Sequence, residues 1–333
     1  MSDAPVSRRV YKFAVFALAI GAFAIGVTEF ATMGLLPHIA RELGITVPQA
    51  GHAVSFYAIG VVVGAPLITT IAAHMDRKLL LLCLMGLFAL GNLASMLAPD
   101  ATLFNIARFF SGLPHGAYLG VGAIVASSLV PPHRRGRALA RVKQGLTIAN
   151  LLGLPLAPAL GNMFGWRSAY ALVAALGVLT VIMVAVAVPK VKLAGVPSAR
   201  GEMKALGRQQ IILTLVAGSV GFGGMFAVYT YVTPTMTDVA GVPQVAIPWV
   251  LAVYGLGMTA GSLIAGPLVD KSIERSGIGG MILSAIVLAA FGAFTHIAAI
   301  AIIALFLIGI AGSMITTALQ MRLLRDSHDA PSL

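Results

Sequence analysis

Apolar residues do not alternate with polar ones along this chain; they run on. Reading the runs between charged turns and Pro/Gly breaks gives ten stretches, at 12–36, 49–72, 79–98, 102–130, 138–160, 168–188, 210–236, 246–268, 277–296 and 298–321. Each is about 20 residues or longer, the length a helix needs to cross the hydrocarbon core of a bilayer. The pattern predicts an all-α, polytopic membrane helix bundle.

The polar segments between the runs then set the orientation. All but Arg41, Arg108 and Arg167 of the 22 Lys and Arg residues lie at the N-terminus, in every second loop or in the tail. Basic residues concentrate on the cytoplasmic side of a membrane protein, so the N-terminus is expected to be cytoplasmic and the protein to sit in the inner (plasma) membrane. The opening Ser7–Lys12 stretch superficially matches a twin-arginine export signal. Such a signal precedes a soluble domain, whereas nine further apolar runs follow here.

Composition excludes the main alternative classes. With 59% hydrophobic and 10% charged residues among 333, there is too little polar surface to coat a water-soluble globule of this size. The net charge of +11 could suggest nucleic acid, but its confinement to alternate loops is a topology signal instead. The single cysteine, Cys83, lies in a leucine-rich run and cannot form an intrachain disulfide. No metal-ligand spacing or nucleophile elbow occurs in the sequence, and apparent glycine-rich phosphate loops fall inside apolar helices. The expected partner is the lipid bilayer; no cofactor is expected, and with nothing in the sequence to support ATP hydrolysis the energy would come from an ion gradient or from a small-molecule substrate's own gradient.

An internal repeat organises the runs. VPQAGHAVSFYAIGVVVG, from Val47 to Gly64, recurs in outline as VPQVAIPWVLAVYGLGMTAG from Val242 to Gly261, at offsets of 195–197. Pro37, expected to end the first run, is answered by Pro234 near the end of the seventh. An even number of spans separates the copies, so the halves run parallel across the membrane, as in a large transporter architecture that binds substrate between them at mid-depth. The expected division is an N-terminal half over 1–188, a cytoplasmic linker at 189–209 and a C-terminal half over 210–333.

Three segments carry candidate chemistry. Span four, ARFFSGLPHGAYLGVG, holds Arg108, with Gly112, Gly116 and Gly120 at four-residue spacing and His115 near mid-membrane. Stacked small residues let helices approach closely, and a charge at depth costs about 2.5–3.5 kcal/mol on insertion scales, so Arg108 needs partners. Glu29, in GVTEFATMGLLP, is the only carboxylate well inside a span. At about 1.5 Å per residue, Glu29 lies about 12 Å from Pro37 and Arg108 about 10 Å from the start of span four. The two could pair at similar depth, either as a proton switch or as a static ion pair. Asn150 in span five, and Tyr229, Tyr231, Trp249 and Tyr254 in spans seven and eight, could contribute polar or stacking contacts to a substrate cavity. His52, near the mouth of span two, is a weaker candidate.

Asp76-Arg77-Lys78 and its echo Gly266-x-x-x-Asp270-Lys271 resemble the G-x-x-x-D-R loop signature of the major facilitator superfamily, with Ala72 at the first glycine position. The resemblance implies that Asp76 and Asp270 cap and tie neighbouring helices at a cytoplasmic gate. The segment GLTIANLLGLPLAPALG, with Gly153, Pro155 and Pro158, is similar to a loosened antiporter motif of that superfamily. With TEF in span one, RFFSGLPHGAYLGVGAIV in span four and Gly165-Trp166-Arg167 before span six, the chain resembles the drug:proton antiporter family, especially its arabinose-efflux-permease-like branch.

That resemblance implies two parallel six-helix repeats, a proton-binding carboxylate tuned by Arg108, and export of a drug or sugar-like solute by alternating access. In the resembled branch a Q-x-R-x-L stretch is followed by two further helices, so the second half is expected to be incomplete. A uniporter and a truncated, transport-dead membrane protein stand as the alternative readings; an enzyme is not expected.

Overall fold

The computed structural model describes residues 7–72, 75–131, 134–190 and 207–326, so most of the expected 189–209 linker lies outside the described residues. Ten helices in it are long and apolar enough to span a membrane, and no strand occurs among the described residues. They are α1 (Arg8–Leu43), α2 (Val47–Ile71), α3 (Arg77–Leu97), α4 (Ala101–Gly112 and Pro114–Ser128), α5 (Arg135–Ile148 and Leu154–Phe164), α6 (Arg167–Ala187), α7 (Gln209–Thr230), α8 (Ile247–Lys271), α9 (Ile273–Phe294) and α10 (Ala298–Asp326). Packing divides them into two units, residues 1–149 with 160–196 and residues 150–159 with 197–333.

Side-chain caps set several of the helix starts. The Ser7 hydroxyl accepts from Val10 N–H at 3.3 Å, and Asp100 accepts from Leu103 N–H at 2.9 Å. Thr46 and Gln49 form a reciprocal capping box at the start of α2, which satisfies amide donors that the helix itself cannot. The first helix does not stop at Pro37. It carries the proline internally and ends at Gly44, whose φ of 65° is a left-handed geometry suited to glycine; its N–H returns to the Ala40 carbonyl. A proline deletes one backbone bond, and the packing of Leu35, Leu36 and Ile39, all fully buried, holds the helix together there.

In the first unit α1 packs on α2, α5 and α6, while α3 packs on α6 and α4, and α2 on α4. In the second unit α10 packs against α8, α9 and α7. The tightest contacts are made by glycine. Gly60 and Gly64 of α2 place the Phe109 and Leu113 carbonyls where a Cβ would stand, and Gly112 of α4 does the same for the Tyr57 carbonyl. In the second unit Gly257 faces the Phe306 carbonyl, Gly261 faces Ile310 and Gly309 faces the Tyr254 carbonyl. Each residue of the second set lies 197 positions after its counterpart in the first. The repeat visible in spans two and eight therefore extends to the helices they pack on, α4 and α10.

Two spans read as continuous are interrupted. Helix α4 breaks at Leu113 because Pro114 has no N–H to give and its ring crowds the preceding turn. Helix α5 passes through a π turn at Ala149–Gly153 before resuming at Leu154. The seventh span ends at Thr230 rather than 236; Val232–Pro234 forms a short separate turn, followed by a π turn at Thr235–Val239.

Candidate functional site

Three helices of the first unit converge on one buried cation. Arg108, fully buried on α4, donates from Nη1 to Thr28 Oγ1 of α1 at 2.8 Å and from Nη2 to the Thr28 carbonyl at 3.1 Å. Nη1 also lies 3.5 Å from Asn92 Oδ1 of α3 and 3.4 Å from Ser111 Oγ. The network closes on itself. Thr28 donates to Asn92 Oδ1 at 2.7 Å, and Asn92 Nδ2 donates to the Phe88 carbonyl at 2.8 Å. A guanidinium presents five N–H groups and no acceptor, so these neutral oxygens are its natural complement.

Two aromatic rings cover the guanidinium. Its Cζ lies 4.3 Å from the Tyr57 ring centroid and 5.4 Å from that of Tyr170. Tyr170 shares a 2.7 Å hydrogen bond with Thr32, one turn along α1 from Thr28. Tyr57 turns its hydroxyl to His115 Nδ1 at 2.9 Å, and the two rings meet edge to face. Cation–π attraction is strongest where water is excluded, as here, where Tyr57 is 4% exposed.

Glu29 is half-buried beside this network and close enough to act electrostatically on the Tyr57 phenol. Its carboxylate is not among the partners of Arg108 in this structure. The helical repeat gives the reason: successive residues are turned about 100° from one another, so with Thr28 facing α3 and α4, Glu29 is directed elsewhere. The direct pair considered from the sequence is thus replaced by an arginine held on Thr28 and a carboxylate next to it.

The remaining candidates fall in separate places. Asn150 counts with the second unit, where its carbonyl sits against Gly255 and its Oδ1 is buried without a hydrogen-bond partner among the described residues. Tyr229 and Tyr254 are buried and stacked, with centroids 4.5 Å apart and planes 29° apart. Tyr231 and Trp249 are exposed, as is His52. Gly153 closes the π turn of α5 and Pro155 lies in the first turn after it.

The two signature loops are built differently. Asp76 caps α3, accepting from Leu79 N–H at 3.0 Å, while Arg77 Nη1 reaches the Ala72 carbonyl at 3.5 Å and Lys78 ties α3 to the Ala185 carbonyl of α6 at 2.6 Å. Asp270 and Lys271 instead lie within the last turn of α8. The capping role passes to Ser272, which accepts from Arg275 N–H at 3.3 Å, because α9 begins immediately after it. Gly266 has no neighbour within 4 Å of a notional Cβ.

Sequence reasoning passed over Thr28, Asn92 and Tyr170. Asn92 is a lone amide in a leucine-rich span, a placement that costs free energy without a polar partner; it was the available signal. An apolar cleft of about 460 Å³ between α3 and α4 is lined by Leu87, Leu90, Leu103, Ile106 and Phe110 among others. None of its lining side chains can hydrogen-bond, so it is no part of this site.

A multi-pass bundle with glycine-mediated helix contacts and a buried intramembrane arginine bonded through both terminal nitrogens defines a membrane protein of the transporter class. Residues 18–330 match the sequence profile of the Major Facilitator Superfamily, and the chain belongs to it. The inner membrane transport protein YdhP of Escherichia coli K12 is 37% identical over 322 residues, covering 97% of this chain and 83% of that protein. A chloramphenicol resistance protein of Streptomyces lividans is 34% identical over 263 residues, covering 77% of this chain and 67% of the relative. Among solved structures, the xylose transporter XylE from E. coli superposes with a TM-score of 0.71 at 17% identity, over 98% of this chain and 86% of XylE. The protein is therefore a multi-pass membrane transporter and not an enzyme.

Proposed function

We propose that this transporter is a proton-coupled exporter of a small organic solute, drug or sugar-like, resident in the inner membrane with its N-terminus in the cytoplasm. The observation that carries this reading is Glu29, a half-buried carboxylate beside an immobilised arginine and not bonded to it. Such a group can take and release a proton without dismantling the helix packing that Arg108 maintains. The relatives support export, since one is a chloramphenicol resistance protein, and the YdhP relative supports the inner membrane. The distribution of Lys and Arg supports the orientation.

A proton moving down a potential of 100 mV contributes about 2.3 kcal/mol, which corresponds to roughly fifty-fold solute accumulation. The test is chloramphenicol movement in proteoliposomes with an imposed pH gradient and a lumenal pH dye. Gradient-driven transport with opposite proton flux is expected for the wild type and loss of coupling for Glu29→Gln. Transport without any proton flux would make the protein a uniporter, and full coupling in the variant would exclude Glu29 as the proton site.

A further inference from the structure

The tyrosine of the repeat has two fates. Tyr254 in the second unit stacks on Tyr229, whereas Tyr57, 197 positions earlier, has Arg108 on its ring face and His115 on its hydroxyl. The positions equivalent to Arg108 and His115 in the second unit are Leu305 and Gly312. The Tyr57–His115 pair is therefore an addition of the first unit and not a requirement of the duplicated helix packing. His115 is half-buried, and its Nε2 has no hydrogen-bond partner among the described residues.

We propose that Tyr57 and His115 form a hydrogen-bonding pair that reads a hydroxyl or carbonyl of an uncharged solute, and that Arg108 bars organic cations from the same place. The inference deepens the transport reading by naming the substrate class, and it rests on that reading. When the Tyr57 hydroxyl donates to Nδ1, Nε2 carries the proton and offers a donor; when it accepts from Nδ1, Nε2 offers an acceptor. Exchange between the two neutral His115 tautomers, with the phenolic hydrogen turning to suit, thus matches the pair to either partner chemistry. A cationic ligand would seek an aromatic face, but the guanidinium already occupies a face of Tyr57 at 4.3 Å. Two cations there would repel each other in a site from which water is largely excluded.

The experiment measures equilibrium binding to the full chain in lipid nanodiscs, without any gradient. The probes are p-nitrophenyl glucoside and uridine as neutral hydroxylated solutes and tetraphenylphosphonium as a lipophilic cation. The wild type is expected to bind at least one neutral probe at least tenfold more tightly than the cation. Tyr57→Phe and His115→Phe should each weaken that binding at least tenfold, and His115→Gln, which keeps a donor and an acceptor, should recover most of it.

Binding of the cation as tightly as the neutral probes, binding of no neutral probe, or unchanged neutral binding in both phenylalanine variants would each overturn the proposal. The wild-type comparison needs no variant to fold. Because no proton gradient is applied, a failure of proton coupling at Glu29 would leave this selectivity unchanged and be recognised as a separate failure.

Discussion

A graded series of glycine-to-alanine changes along α4 tests whether helix approach in the first unit is set by the backbone contacts described here. At Gly112 a new Cβ would stand on the Tyr57 carbonyl of α2, a backbone atom that moves only if the whole helix moves. At Gly116 the nearest atom is the Ala65 Cβ at 3.3 Å, a gap that a few tenths of an ångström of adjustment relieves. At Gly120 no atom lies within 4 Å.

Overpacking a tight contact costs about 1–3 kcal/mol, while alanine gains about 1 kcal/mol over glycine in a helix interior. Gly112→Ala, at the high end of that cost because it meets a backbone atom, should therefore be destabilising by up to about 2 kcal/mol net. Gly116→Ala should be close to neutral, and Gly120→Ala neutral or stabilising by up to about 1 kcal/mol. The assay is the apparent melting temperature in detergent at one fixed scan rate, since membrane proteins commonly unfold irreversibly and only a ranking is then meaningful. Gly309→Ala, the repeat counterpart of Gly112 against the Tyr254 carbonyl, should fall with Gly112→Ala. If Gly112→Ala and Gly120→Ala melt together, the close approach of α2 and α4 does not depend on the missing Cβ and the argument fails.

Arg108→Lys should destabilise the first unit by about 2–4 kcal/mol, because an ammonium cannot reach both Thr28 oxygens and also cover Tyr57; thermal unfolding in detergent measures it. Tyr170→Phe deletes the 2.7 Å bond to Thr32 and leaves one hydroxyl without a partner, at a cost of about 1 kcal/mol in the same assay. Glu274→Gln removes the 2.7 Å ion pair with Arg325 at the exposed end of the second unit; melting should change little, and any change should vanish as salt is raised.

The ten spans were legible because a bilayer demands long apolar runs whatever the tertiary contacts. Their interruptions were less so. Pro114 breaks α4 but Pro37 does not end α1, and the difference lies in the packing around each proline, which a linear pattern does not carry. Arg108 and Glu29 stood out as charges in apolar runs. Their relation did not, because depth along two helices says nothing about rotation around them, and Thr28 rather than Glu29 faces the guanidinium. Half of the repeat was visible in conserved-looking Pro, Tyr and Gly positions. The other half, in α4 and α10, is carried by IARFFSG at 106–112 and IALFLIG at 303–309, whose shared Ile, Ala, Phe and Gly do not stand out in apolar runs and whose matched contacts are backbone carbonyls that any residue supplies.

The π turn at Ala149–Gly153 makes the length of α5 as informative as its composition. A π turn takes up one more residue than an α turn. Five residues at π pitch sweep about the same angle around the axis as four in α geometry, so deleting a single residue between 149 and 153 would let the segment relax to ordinary α geometry while everything from Leu154 onward kept about its present facing. The same deletion made in a purely α stretch would turn every later side chain by about 100°. An alignment of this span that places a one-residue gap there is thus describing the loss of the turn and not a rotation of the half-helix after it, and a chimaera joined at that point keeps its facing whichever parent supplies the residues.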